Sequence, residues 1–286
     1  MANVLRAADL RLPPGPVDLR ALDTGATPGF DGGKAEGKGA LMAIGDDLSD
    51  LQERLFAEGV ADVGHGRALL LVLQGMDTSG KGGVLKHTVG LVDPQGVSIT
   101  SFKAPTKAEL AQDFLWRIRN ALPTKGRIGV FDRSHYEDVL IVKVRELAGA
   151  DEVERRYDAI NAFEAECVGA GITVLKCMLH ISAETQKERL LARLGDPTKY
   201  WKFNPQDVDE RAFWPAYQEA YEVALERTNT EVAPWYVIPS DHKWYRNLAI
   251  GNLLHETLTH MSPQWPAADF DVEEQRQRLV QEQPFT

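Results

Sequence analysis

Apolar residues along the chain occur in short blocks, and between the blocks they return every three or four positions. The blocks are rich in Val, Ile and Leu and predict strands at 68–74, 96–103, 127–132, 171–179 and 235–238. The helical spacing predicts helices at 47–58, 81–92, 106–122, 134–147, 151–169, 182–194, 207–228 and 245–260. Because strands that alternate with helices pair in parallel, the pattern predicts an α/β fold: a three-layer α/β/α arrangement around a five-stranded parallel sheet.

The two ends of the chain differ from this alternating middle. Residues 1–44 form a Gly/Pro-rich N-terminal extension, which we expect to wrap the surface or stay mobile rather than build a core. Residues 45–262 contain the predicted α/β domain, and residues 263–286 form a polar C-terminal tail.

Composition narrows the class of protein. A chain of 286 residues with 43% hydrophobic and 26% charged residues is typical of a globular protein with one large core. The net charge of −10 argues against a general nucleic-acid binder, although a local basic channel could still hold a polyanion. Cys167 and Cys177 lack metal or redox spacing, which predicts reduced thiols and a cytoplasmic location. No apolar run reaches the ~20 residues needed to span a bilayer, so we expect no membrane partner.

A glycine-rich segment at 75–83, Gly-Met-Asp-Thr-Ser-Gly-Lys-Gly-Gly, directly follows the first predicted strand. Between a strand and a helix, such a turn presents backbone N–H groups to phosphate, and a lysine at the helix start adds a mobile positive charge. The alternative is a plain turn, but the flanking strand and helix favour a phosphate loop. The predicted phosphate contacts in it are Gly75, Ser79, Gly80, Lys81 and Gly82.

The loop departs from the usual pattern at its metal position. Gly82 stands where Ser or Thr usually ligates Mg²⁺, and Asp77 brings a carboxylate into the loop. A carboxylate repels bound phosphates unless a cation lies between them. We therefore expect Asp77 to hold Mg²⁺, with Mn²⁺ as the alternative ion, or to orient the attacking group.

A second acidic and basic cluster follows the third predicted strand. Asp132 lies at the carboxyl end of that strand, where ligands bind in parallel sheets, so it is the second predicted metal ligand; the alternative is a helix cap. Arg133 can bridge phosphate oxygens. His135 is either a phosphoryl acceptor or, more commonly at such a position, a packing residue. Glu137 and Asp138 either face the acceptor or are solvated acids at a helix start.

A third cluster is basic and flanks a turn that carries three aromatic residues at 200–203. Basic groups on a movable segment over a phosphate loop would clamp charge and exclude water. The alternative is a solvated basic helix face. The predicted lid residues are Arg189, Arg193, Lys199, Lys202 and Arg211.

Taken in this order, the motifs resemble the polyphosphate kinase 2 family, over residues 45–260. The matching stretches are 73–83, 131–139, 197–203, 210–211 and 233–243. The resemblance implies a phosphate-loop kinase fold with a helical lid at about 189–215. It also implies transfer of a phosphoryl group between inorganic polyphosphate and nucleoside mono- or diphosphates, AMP to ADP and ADP to ATP, with Mg²⁺.

The resemblance also implies residue roles and partners. Asp77 and Asp132 would be the essential carboxylates, Lys81 and Arg133 the phosphate ligands, and Arg193 and Lys202 the lid groups toward the polyphosphate chain. The pair Glu137–Asp138 looks like the subgroup that accepts both AMP and ADP. Adenine nucleotides are the expected partners, with guanine nucleotides as an alternative, and the family often forms dimers or tetramers.

Direct in-line transfer of the phosphoryl group is consistent with these residues, because in such a reaction the protein mainly positions the reactants and neutralises their charge. A nucleotide phosphate oxygen is already a nucleophile, so no phospho-enzyme is expected. Two other readings stay open: an ATP-dependent nucleoside monophosphate kinase, and a non-catalytic nucleotide-binding sensor. A nucleic-acid repair kinase is disfavoured by the acidic composition.

Overall fold

A computed structural model describes residues 5–62 and 66–282 of the chain. Its five strands form one sheet in which every neighbouring pair is parallel, in the order β2-β3-β1-β4-β5. The predicted five-stranded parallel sheet is therefore confirmed. The strands are β1 (Ala68–Gln74), β2 (Val97–Ser101), β3 (Ile128–Asp132), β4 (Ile172–His180) and β5 (Trp235–Pro239).

Helices of the described residues cover both faces of this sheet. Those before β4 are α1 (Lys34–Ala43), α2 (Gly45–Val60), α3 (Lys81–His87), α4 (Lys107–Leu110), α5 (Trp116–Arg119), α6 (Ile141–Val144) and α7 (Ala150–Gly169). Those after β4 are α8 (Ala183–Leu194), α9 (Gln206–Glu210), α10 (Trp214–Thr228), α11 (Lys243–Met261) and α12 (Val272–Gln281).

The core consists of two layers, because side chains of a strand alternate between the faces of the sheet. Leu70 and Val72 of β1 pack in a cluster with α7 and α10, and Leu69 and Leu71 pack in a second cluster with α2 and α11. All seven residues of β1 are buried, as a central strand covered on both faces requires. The three-layer prediction is thus confirmed, and β1 and β3 end side by side at one edge.

Three predicted helices are interrupted by local side-chain chemistry. The segment 106–122 forms only the two short helices α4 and α5. The capping box of Thr106 and Glu109 starts α4, as the sequence indicates. Asp113 then accepts a hydrogen bond from the Leu115 N–H, which forms a turn between the two helices. The segment 134–147 divides into a 3-10 turn at His135–Asp138 and α6. The segment 207–228 is broken by a 3-10 turn before α10, where Pro215 occupies the first helical turn.

The expectation that the N-terminal extension would not build a core was wrong. Leu10, Leu12 and Leu19 are buried, and two hydrogen bonds fasten the segment to the edge of the sheet: Leu12 N to Trp235 O at 2.9 Å and Val237 N to Leu10 O at 3.0 Å. These bonds satisfy backbone groups that an edge strand would otherwise expose. The sequence analysis also missed α1 and α12.

Both predicted terminal segments extend beyond the described residues, at 1–4 and 283–286, and the division into domains stays a prediction. Within residues 5–62 and 66–282, no helix has both the length and the apolar character that a membrane span requires.

Candidate active site

The phosphate loop links the end of β1 to the start of α3. Gly75 (φ 146°) and Gly80 (φ 111°) adopt backbone conformations that strongly favour glycine. A Cβ atom at Gly80 would lie 1.8 Å from Nη1 of Arg246 on α11. The loop is therefore packed so closely against α11 that glycine is required there.

Two arginines bind the carbonyl oxygens behind the loop. Arg189 Nη1 donates to Thr78 O (2.8 Å) and to Ser79 O (3.1 Å), and Arg246 Nη1 donates to Ser79 O (3.1 Å). Arg246 is only 2% exposed, and no carboxylate among the described residues forms an ion pair with it; the side-chain oxygen of Asn247 accepts from its Nη2 at 2.9 Å. Burial, assisted by the charge of Arg189, lowers the pKa of Arg246 to about 9. The loop thus carries two guanidinium groups behind it.

Arg246 was missed by the sequence analysis, and Arg189 was assigned to the lid. Arg246 lies within α11, where hydrophobic spacing predicts only a helix. Nothing in that pattern distinguishes an arginine that faces the core from one on the surface.

Lys81 is buried and lies in the field of the predicted catalytic groups. Its Nζ donates to Gly75 O at 2.9 Å. Burial and the charge of Arg133 lower the pKa of Lys81, while Asp77, Asp132 and Glu137 act in the opposite direction. The lysine therefore lies among three acids at the mouth of the loop.

Arg133 connects the loop to the end of β3. Its Nη2 lies 2.6 Å from Asp77 Oδ1, and its Nη1 lies 3.5 Å from Glu137 Oε2. Arg133 has a positive φ of 64°, which costs a residue other than glycine on the order of 1 kcal/mol and is typical of functional sites. Asp132 is paired in register with Leu73, two residues before the loop. The structure thus places Asp77, Lys81, Asp132 and Arg133 close together at the ends of β1 and β3, and their catalytic roles stay a prediction.

A cavity of about 170 Å³ lies between the loop and the predicted lid. Asp77, Arg133 and Glu137 line one side of it, and Asp207 and Glu210 line the other. Burial and the negative charge of Asp77 raise the pKa of Asp207. The two lid acids were not predicted, because the sequence analysis considered only the basic residues of that segment.

The basic residues of the lid turn are engaged with the turn itself. Arg193 Nη1 donates to Lys202 O at 2.9 Å and lies 3.5 Å from Asp207 Oδ2. Lys199 pairs with Asp196 at 2.7 Å. The Nζ atom of Lys202 lies 4.8 Å from the ring centroid of Trp201. Their role toward polyphosphate stays a prediction.

Arg211 connects the lid to the loop through α8. Its Nη1 donates to Ala183 O (3.0 Å) and to Gln186 Oε1 (2.7 Å). Gln186 Nε2 in turn donates to the backbone oxygen of Asp77 at 3.1 Å. Gln186 therefore links Arg211 to the backbone of the loop residue that carries the carboxylate.

Glu137 and Asp138 face different cavities. Asp138 lies in a cavity of about 230 Å³, where its Oδ1 is 3.2 Å from Arg156 Nη1 and its Oδ2 is 3.9 Å from Arg117 Nη2. The two residues diverge because they are consecutive in a 3-10 turn, which has about three residues per turn. Burial raises the pKa of Glu137, and it raises the pKa of Asp138 to about 6 against the influence of Arg156.

His135 belongs to the core. It is fully buried, and its Nε2 lies 3.2 Å from Glu164 Oε1. The same carboxylate accepts from Tyr136 OH (2.7 Å) and from Lys176 Nζ (2.6 Å). Burial lowers the pKa of His135. This position favours the packing alternative over a phosphoryl acceptor.

The acids at the loop suit a Mg²⁺ ion only in combination with phosphate. No group of three or more His, Cys, Asp or Glu side chains in the described parts of the chain is arranged to hold a metal. Mg²⁺ usually takes one or two carboxylates together with water and substrate phosphates. Asp77, whose side chain is 31% exposed, and the half-buried Asp132 lie at the same sheet edge and match that donor set.

Known proteins share both the sequence and the fold. The family profile of polyphosphate kinase 2 (PPK2) matches residues 34–266. The chain is 44% identical to the AMP/ADP-polyphosphate phosphotransferase of Meiothermus ruber over 254 residues, which cover 89% of this chain and 93% of that protein. It is 39% identical to the ADP-polyphosphate phosphotransferase of Rhodopseudomonas palustris, with 77% and 78% covered.

A solved structure extends this similarity to the fold. The crystal structure of polyphosphate kinase 2 from Arthrobacter aurescens TC1 superimposes with a TM-score of 0.94 at 49% sequence identity, over 99% of both chains. Since the family profile spans residues 34–266 and the two relatives are matched over 93% and 78% of their length, this chain belongs to the polyphosphate kinase 2 family.

Proposed function

We propose that this enzyme transfers a phosphoryl group from inorganic polyphosphate directly to AMP and to ADP, with Mg²⁺ held by Asp77 and Asp132. The observation that carries the proposal is the loop itself, in which Lys81 and the ion pair of Asp77 with Arg133 converge at the end of β1. The relative that is 44% identical is named for both acceptors.

The protein's contribution is to position two anions and to offset their charge. Loop N–H groups and Lys81 bind the terminal phosphates of the donor, and Arg133 binds oxygens of the transferred group. When bound, Mg²⁺ neutralises charge on the phosphate oxygens that face the carboxylates. An oxygen of the acceptor's terminal phosphate forms the new P–O bond, while the bond to the bridging oxygen of the polyphosphate breaks and leaves the donor one unit shorter.

The described residues support transfer without a phospho-enzyme. His135 is buried against Glu164 and does not line the cavity at the loop. The acceptor oxygen is ionised at neutral pH and requires no general base. We call the cavity between the loop and the lid the transfer cavity and assign Glu137 to it. We assign Asp138, with Arg117 and Arg156, to the wall that holds the acceptor nucleotide.

Further parts of the proposal concern the protein's setting. We infer a cytoplasmic dimer or tetramer that acts on adenine nucleotides, accepts guanine nucleotides as the alternative, and has no nucleic-acid or membrane partner. The acidic net charge supports the absence of a nucleic-acid partner, and the buried free thiols of Cys167 and Cys177 support a reducing compartment. Light scattering coupled to size-exclusion chromatography would test the oligomeric state.

A matrix of donors and acceptors tests the proposal. Purified protein with Mg²⁺ and either polyphosphate or ATP is mixed with AMP or ADP, and the nucleotides are separated by chromatography. Polyphosphate should convert AMP to ADP and then to ATP. Product from ADP alone would remove AMP as an acceptor. Product with ATP but not with polyphosphate would favour a nucleoside monophosphate kinase, and tight nucleotide binding without turnover would favour a sensor.

A further inference from the structure

A basic cleft of about 910 Å³ shares no lining residue with the cavity at the loop. Its walls come from α1, α3 and the start of α11. Lys34 and Lys38 of α1 and Lys243 of α11 line it, together with the buried Arg246. We call it the α1 cleft. It concentrates positive charge in a chain whose net charge is −10, so the electrostatic potential in the cleft has the opposite sign to the charge of the protein as a whole.

The cations of the α1 cleft are available to a ligand. Lys34, Lys38 and Lys243 are exposed, and none of them forms an ion pair with any described residue. Asp241 is the one carboxylate among the lining residues, and it is engaged elsewhere: its Oδ2 accepts from Thr24 Oγ1 at 2.7 Å and its Oδ1 from Ser182 N at 3.0 Å. The positive charges therefore lack a counter-ion from the described parts of the protein.

The α1 cleft adjoins the phosphate loop through a shared wall. Arg246 lines the cleft and donates to Ser79 O of the loop. Asp241 O, also at the cleft, accepts from Arg189 Nη2, whose guanidinium binds the same loop. Burial and the charges of Arg189 and Arg246 lower the pKa of Lys243. The cleft therefore borders the back of the phosphate loop through Arg246 and through Asp241, which is bonded to Arg189.

Helix α1 is fixed at the cleft. Trp244 of α11 packs so closely on Gly37 that a Cβ atom there would lie 2.3 Å from the indole. Lys34 and Lys38 are four residues apart, about 6 Å of rise and just over one helical turn, and so share a face. Lys34 opens α1, where a positive charge is unfavourable to the helix dipole. Helix stability therefore does not explain a lysine at that position, whereas anion binding does.

We propose that the α1 cleft binds the distal phosphates of the polyphosphate donor, so that Lys34 and Lys38 give the enzyme its preference for long chains. This inference rests on the proposed function. A linear chain with a negative charge on each unit fits the exposed lysines Lys34, Lys38 and Lys243, which line a cleft that borders the loop. A short chain would fill the loop alone and would not reach α1.

The test compares donor lengths in Lys34→Ala/Lys38→Ala, with ADP as the acceptor. The KM for long-chain polyphosphate should rise about tenfold and become less sensitive to salt, as expected when phosphate contacts are lost. The KM for tetrapolyphosphate and the kcat for both donors should stay within about twofold, because the loop is untouched. Lys34→Glu/Lys38→Glu should enlarge the effect on long chains only.

A matched control removes two charges elsewhere. Arg276→Ala/Arg278→Ala alters exposed positions on α12 and should leave the KM for every donor unchanged. An unchanged KM for long chains in both lysine variants, or an equal rise for long and short chains, would overturn the inference. Absence of turnover by the wild-type protein with every polyphosphate would instead refute the proposed function, and this inference with it.

Discussion

Replacing Arg246 by Met should make the protein more stable and less active. The guanidinium is buried without a carboxylate partner, and its pKa of about 9 shows that the folded state disfavours the charged form. Burial of an unpaired ion costs several kcal/mol. Hydrogen bonds to Ser79 O and Asn247 Oδ1 offset part of that cost, at about 1.5–3 kcal/mol for each bond to a charged group. We expect Arg246→Met to gain on the order of 2 kcal/mol.

The pH dependence of this gain has a definite sign. Because the pKa of Arg246 is lower in the folded than in the unfolded protein, the penalty is fully present below about pH 9 and shrinks as pH rises above it. Urea unfolding of both proteins, followed by circular dichroism, should therefore give a constant difference near neutral pH and a smaller one in alkali.

Activity should change in the opposite direction. Loss of a positive charge behind the loop should lower kcat/KM for polyphosphate on the order of tenfold or more. Arg119→Met is the matched control, since Arg119 pairs with Glu166 at the surface and should change stability by less than about 1 kcal/mol. A less stable Arg246→Met protein with unchanged kcat/KM would show that Arg246 serves the fold alone and would refute this reasoning.

Three further predictions concern stability. Lys176→Met should cost about 3–5 kcal/mol because the buried Glu164 carboxylate loses its lysine counter-charge and keeps only its contacts with His135 and Tyr136. Lys176→Met/Glu164→Leu should recover most of that loss, and additive effects in a urea double-mutant cycle would contradict this. Gly80→Ala should destabilise the protein by about 1–3 kcal/mol, through backbone strain and the clash with the buried Arg246 guanidinium. Gly39→Ala, at an open position in a helix, is the control and should stabilise the protein by about 0.5–1 kcal/mol. Similar thermal shifts for both variants would be evidence against the close packing of the loop on α11. Burial raises the pKa of Glu137, so its contribution to stability is present below the unfolded pKa of about 4.5 and is lost as pH rises through the folded value. Glu137→Gln should therefore gain stability over wild type as pH rises toward neutral, and a difference independent of pH in thermal melts would exclude this origin.

The strands and the loop could be predicted from the sequence because their signals are local. A block of buried aliphatic residues and a glycine-lysine turn determine β1 and the phosphate loop without reference to distant residues. Helix boundaries were less predictable, since the helix after Thr106 ends at Leu110 and the Asp113 side chain then accepts from Leu115 N in a turn that precedes α5.

Other features depend on contacts between distant parts of the chain. The N-terminal segment reads as a loop until β5 supplies partners for its backbone, and Arg246 reads as a surface cation until the loop packs against it. Glu137 and Asp138 read as a pair, and only the tight turn shows that they face different cavities. The N-terminal segment and Arg246 are each placed by residues that are far away in sequence. Glu137 and Asp138 differ only in the direction in which the turn points their side chains.

The most direct test of the central claim is the initial rate of ATP formation from ADP and polyphosphate by Asp77→Asn. The substitution keeps the shape of the side chain but removes the charge that pairs with Arg133 and would face Mg²⁺. We predict a rate lower by about 10³-fold or more, with an unchanged urea midpoint. An Asp77→Asn protein with the wild-type rate would contradict the assignment of phosphoryl transfer to this loop.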